Sequence, residues 1–160
     1  MKYFEDIQVG ETVPLGRHTF TSEAIKTFAR RFDPQRFHVD EQAAAESHFG
    51  ALVASGWHTA AIWMRLMVEH RRRTADAARA RGEPVASVGP ALGFRDMKWH
   101  KPVYADDTIE YASEVVDLRP SDSRPMQGLM TVRATGVNQD GVLVFSFVST
   151  TFVERRPEQP

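Results

Sequence analysis

An α+β fold, with an antiparallel sheet and one long helix lying on it, is predicted by three observations. Helical periodicity fills most of the first half of the 160-residue chain, strand periodicity takes over after about residue 90, and the two do not alternate. Helices followed by a run of strands connected by short turns favour antiparallel pairing. A doubly wound parallel sheet would need alternating strands and helices, and its GxGxxG turn is absent. At this length the whole of residues 1–160 reads as a single domain, large enough to bury a core without covalent staples.

The elements follow in chain order. Residues 1–15 hold a short strand and the turn Val9-Gly10-Glu11. Thr21-Ser22-Glu23 opens a helix that either Thr21 or Ser22 can cap, with Ile25, Phe28, Ala29 and Phe32 at helical spacing. Pro34 disfavours helical geometry at Asp33, so that helix stops there. Asp40 is the expected N-cap of a second, short helix that ends by Phe49-Gly50. The apolar link ALVASG leads to Ser55, the N-cap of the longest helix, over about residues 56–73. There Trp57, Ala60, Ala61, Met64, Met67 and Val68 form one apolar face, and Gly82 with Pro84 closes the segment. Leu92, Phe94, Met97 and Trp99 then alternate roughly, with room for a bulge. Strands are predicted over 108–118 and 128–139, and Asp140-Gly141 turns the chain into a last strand over 142–154.

Composition narrows the function. Net charge is −1, so no global field recruits nucleic acid or an anionic membrane. No apolar run approaches the ~18 residues of a membrane span, and the opening MKYFEDIQVGE lacks the apolar core of a signal peptide. The chain has no cysteine, which excludes disulfides, thiolate metal sites and cysteine nucleophiles and fits a reducing, cytoplasmic location. Arg71, Arg72 and Arg73, with Arg79 and Arg81 beyond, form the one basic cluster. It reads either as a solvated helix end or as a contact for ligand phosphates.

Two places carry chemistry. The turn RRFDPQRFHVD sets Asp33 and His38 around a proline, in a loop between helices. At a helix C-terminus the dipole opposes ionisation, which predicts a raised pKa for Asp33. Beside an imidazole, whose ordinary titration lies near neutrality, such a carboxyl makes an acid–base pair able to hold one water. Against this stands a plain Asp-Pro turn with a histidine bonded to backbone. The second place is Ser55-Gly56: an unpaired N–H at the start of the long helix, with no Cβ in front of it, is a plausible oxyanion donor, or else Gly56 is there for a tight approach to the sheet. Asp33, His38, Asp40 and His58 offer metal-type ligands, but no HxxxH or HExxH spacing occurs, so no metal is expected. No GxSxG elbow supports a serine triad. His58 and His100 are expected to pack or to line a rim, and Trp57, Trp63 and Trp99 to serve as core or interface aromatics.

FDPQRFHVD followed by FGALVASGWHTAA resembles the MaoC-like dehydratase family, which includes the (R)-specific enoyl-CoA hydratases. WHKPVYADDTI is similar to the family's strand-and-turn stretch, with Asp106 where a glycine is usual. The resemblance runs over nearly the whole chain. It implies a hotdog fold, a homodimer or higher oligomer, and an acyl-thioester substrate on coenzyme A or a carrier protein, with no further cofactor. It also implies that Asp33 and His38 activate the water added across a 2,3-double bond, and that Ser55, Gly56 and Trp57 contact substrate, the Gly56 N–H binding the thioester carbonyl. Besides Asp106, other positions depart from the pattern: Gln35 stands where asparagine is usual, the proline sits directly after Asp33 and not after that position, Met64 stands where some members carry serine, and Ser55 where histidine is frequent. Two other readings stay open, a hotdog thioesterase and a non-catalytic acyl-CoA binding module. The usual thioesterase loop is absent, and both members of the acid–base pair are present.

Overall fold

The computed structural model describes residues 1–157. A 3-10 turn, Phe4–Asp6, precedes β1 (Thr12–Thr19), α1 (Ser22–Phe32), α2 (Arg36–Val39), α3 (Glu41–Ala45) and the long α4 (Gly56–Ala80). Four strands follow: β2 (Val88–Trp99), β3 (Thr108–Pro120), β4 (Gln127–Val137) and β5 (Leu143–Glu154). The sheet is antiparallel throughout, in the order β1-β3-β4-β5-β2, so β1 and β2 are its edges. Ile62, Trp63 and Leu66 of α4 meet Leu15, Ile109, Tyr111, Phe145 and Phe147 of the sheet in the main core. This is the hotdog arrangement.

The strands after residue 90 start and stop close to where alternation predicts, and β2 carries the expected irregularity as three register shifts against β5. The β4–β5 hairpin turns at Gly141, whose φ of 76° is left-handed. At the amino end the strand begins only at Thr12, because Phe4 and Ile7 pack onto the second core cluster instead. The Phe4 ring lies directly on Gly128, where a Cβ would collide with it. Asp106 takes φ 71° in a turn where its N–H donates to Phe20 O at 2.8 Å. Glycine would adopt that conformation without strain, and aspartate is among the few side chains that tolerate it.

The long helix differs from expectation in two respects. It runs to Ala80, so Arg71–73 lie within it and not at its end. Its sheet-facing side is His58, Thr59, Ile62, Trp63 and Leu66, whereas Trp57, Ala61, Met64 and Val68 are exposed and Ala60 and Met67 are half-buried. Two apolar stripes run side by side along α4, and periodicity alone does not say which one faces the sheet. The polar pair His58 and Thr59 disguised the buried stripe. On α1, likewise, Ile25 and Ala29 are buried but Phe32 is exposed, 5.0 Å from the ring of Phe28.

His58 is a core histidine. Phe28 stacks on it at 4.4 Å and Phe20 meets it edge-on at 5.0 Å. Burial, then the nearby His18 and Arg65, pushes its pKa down to about 4. Between that value and the ordinary 6.5, the unfolded chain binds a proton that the folded chain refuses. Stability is therefore undisturbed above pH 6.5 and declines as pH falls towards 4. The full difference is on the order of 3 kcal/mol. Urea unfolding at pH 7 and at pH 4.5 should show His58→Leu losing less stability on acidification than the wild type. Equal losses would contradict this origin of acid sensitivity.

Candidate active site

Asp33 is the C-cap of α1. Pro34 keeps it out of helical geometry (φ −155°, ψ 68°), while its N–H still donates to Ala29 O at 2.9 Å. The helix therefore ends with the carboxylate turned off its axis. His38 follows on the single turn α2, not in an open loop as expected, and is only 5% exposed. Its Nδ1 lies 2.7 Å from the carbonyl oxygen of Val53. A carbonyl only accepts, so Nδ1 carries the proton, and in neutral His38 the Nε2 lone pair is free. That lone pair faces Asp33 Oδ2 at 3.4 Å.

The expected rise in the Asp33 pKa is corrected by its surroundings. Burial does push it up, but hydrogen bonds from Ser55 and Gln35, joined by the positive charge of His38 whenever that ring is protonated, hold the carboxyl below its ordinary value. Ser55 Oγ donates to Oδ2 at 2.6 Å and Gln35 Nε2 donates to Oδ1 at 2.9 Å. Donors to the charged form outweigh the dipole of one helix end.

The same serine hydroxyl caps α4, accepting from Trp57 N at 3.2 Å, and Ser55 is 1% exposed. It thus ties the carboxylate to the start of the long helix. Gly56 is the first residue of that helix, and its N–H has no hydrogen-bond partner among the described residues. Trp99 explains the glycine: its indole N–H donates to Gly56 O at 2.8 Å, and a Cβ on Gly56 would sit 2.6 Å from the ring. Trp57 stands 60% exposed, edge-to-face with Trp99 at 5.4 Å. Asp33, His38, Gly56, Trp57 and Trp99 line one cavity of about 440 Å³. Ser55 lies behind this wall, its hydroxyl engaged by Asp33 and Trp57.

The remaining polar candidates lie elsewhere or on the rim. Asp40 caps α3, accepting from Ala43 N at 2.8 Å. His58 is in the core, and His100, bonded to Ser146 Oγ at 2.8 Å, lines the cavity edge. Among the described residues no group of three or more histidine or acidic side chains converges as a metal site would need. Three contributors escaped the sequence reading: the Val53 carbonyl, the Gln35 amide and the Trp99 ring. Only Gln35 left a signal, an amide two residues after the acid. The other two depend on contacts across the fold.

With this geometry in place, the chain can be set beside known proteins. The family model described as MaoC like domain matches residues 6–138. The solved MaoC-like dehydratase from Rhodospirillum rubrum is 37% identical, with a TM-score of 0.82 over 99% of this chain and 100% of that one. Among curated proteins, the uncharacterized protein YdeM of Bacillus subtilis (strain 168) is 29% identical over 94% of this chain and 98% of its own length. The 3-hydroxybutyryl-CoA dehydratase of Methylorubrum extorquens is 28% identical over 76% of this chain and 69% of its own length. Matched over most of its length and built on the same helix-and-sheet frame, the chain belongs to the MaoC-like dehydratase family.

Proposed function

We propose that the protein is a hydratase–dehydratase that reversibly adds water across the 2,3-double bond of an enoyl thioester, carried on coenzyme A or a carrier protein. The observation that carries this reading is the free lone pair of His38 Nε2, 3.4 Å from a carboxylate oxygen of Asp33, at the wall of a cavity that Gly56 also lines. Both atoms accept hydrogen bonds, so one water can donate to each. The thioester carbonyl accepts from the Gly56 N–H. The water oxygen bonds to C3 as the C2=C3 π bond breaks, and negative charge moves onto the carbonyl oxygen, where the positive end of the α4 dipole stabilises it. The Asp33–His38 pair takes the proton that the water gives up and relays a proton to C2. Dehydration is the reverse. No cofactor enters these steps.

The exposed stripe Trp57, Ala61, Met64 and Val68 on α4, together with the free edge of β2 and its exposed Leu92, Phe94 and Trp99, suits a second copy of the chain. A monomeric mass by light scattering at micromolar concentration would contradict that pairing.

Crotonyl-CoA tests the reaction. Loss of the enoyl absorbance without release of free thiol is the expected result. Release of thiol would mean a thioesterase, and binding with neither change would mean a non-catalytic module.

A further inference from the structure

The chemistry above leaves unused a second cavity, of about 310 Å³, between the C-terminal half of α4 and the inner face of the sheet. That volume falls at the lower end of the ~300–1,000 Å³ of small-ligand pockets. Met67, Val115, Met130, Val132 and Val153 give it an apolar wall. Set into the same lining are Trp63 Nε1, Ser113 Oγ and Thr151 Oγ1, all buried and without a hydrogen-bond partner among the described residues. Trp63 and Thr151 are 5% and 6% exposed. Buried polar groups are ordinarily satisfied, so three orphans around one cavity need an explanation.

Charge gives the direction. Arg71 also lines the cavity, half-buried, and makes no ion pair among the described residues. Lys2 and Glu11, on the same wall, are engaged with each other at 2.7 Å, and His70 meets Thr74 at 3.4 Å. An indole N–H and a guanidinium only donate, and a hydroxyl can donate too. The unmet groups therefore call for an acceptor, and the unpaired guanidinium calls for a negative one.

We propose that this cavity binds an aliphatic carboxylate, with its chain along the Met67–Val153 wall and its carboxylate at Arg71. The carboxylate belongs either to a free fatty acid or to the far end of a long thioester. Arg71 lies ~22 Å along α4 from Gly56, too far for a short acyl group to span. The proposal does not depend on which reaction the first cavity supports.

The test follows the three indole N–H signals in ¹⁵N-labelled protein during titration with octanoate. The Trp63 signal should shift and saturate, while that of Trp99, already donated to Gly56 O, stays. Octylammonium should bind at least ~10-fold more weakly, and Arg71→Leu should weaken octanoate by a similar factor. If Arg71→Leu fails to fold, Thr151→Val replaces it and should weaken octanoate severalfold. A saturated CoA thioester of about eighteen carbons ending in a carboxylate, long enough to run from Gly56 to Arg71, separates the sources. Displacement of octanoate assigns the cavity to a substrate tail, and joint binding assigns it to a free acid; both sustain the proposal. An unmoved Trp63 signal, equal binding of octylammonium, or unchanged affinity in the folded variant overturns it.

Discussion

Asp33→Asn should lower crotonyl-CoA hydration by at least ~10²-fold while leaving the melting temperature nearly unchanged. The amide keeps the shape of the carboxyl and can still accept from Ser55 or Gln35, so the end of α1 survives. It cannot take a proton from water, and the general-base half of the pair is gone. Because the Asp33 carboxyl is held below its ordinary value, it is ionised at neutral pH in the wild type and ready to accept. Ser55→Ala provides the graded control. It removes the 2.6 Å donor without removing the acid, so the carboxyl pKa rises and the acid limb of the pH–rate profile moves to higher pH, with a smaller loss of rate. Near-normal turnover in Asp33→Asn would sink the assignment.

His38→Ala should cost a comparable factor, again at least ~10²-fold. The imidazole does not merely fill space: its Nδ1–H is committed to Val53 O, and that commitment turns the Nε2 lone pair towards Asp33. Groups that act as a unit are not additive. The double variant Asp33→Asn/His38→Ala should therefore be little slower than either single one. Multiplying losses would mean two independent roles and would contradict a shared water. Since His38 is buried, unfolding curves must accompany the kinetics. A stable but inactive variant supports the reading, and an active one ends it.

Much of this site could be read in the sequence, for local reasons. Pro34 disfavours helical geometry at the residue before it, and a serine before a glycine before a long apolar stretch caps a helix, so short-range rules suffice to single out Asp33, Ser55 and Gly56. The side of α4 that meets the sheet was not legible, because burial depends on which of two apolar stripes the strands cover. The direction of the Asp33 pKa shift is not legible for the same kind of reason. The helix dipole is visible in sequence, but the Ser55 hydroxyl arrives from 22 residues away. Trp99 reaches Gly56 from a strand at the sheet edge, 43 residues along the chain. Such contacts exist only once the fold does.

The Val53 carbonyl that sets the histidine tautomer is main chain, and every residue type supplies it. Substitution at position 53 can shift that oxygen but cannot delete it, whereas the donors to Asp33 vanish with a single codon change at 35 or 55. Over generations the acid can be retuned residue by residue. The orientation of the ring is inherited with the backbone and is lost only if the link between α3 and α4 is rebuilt.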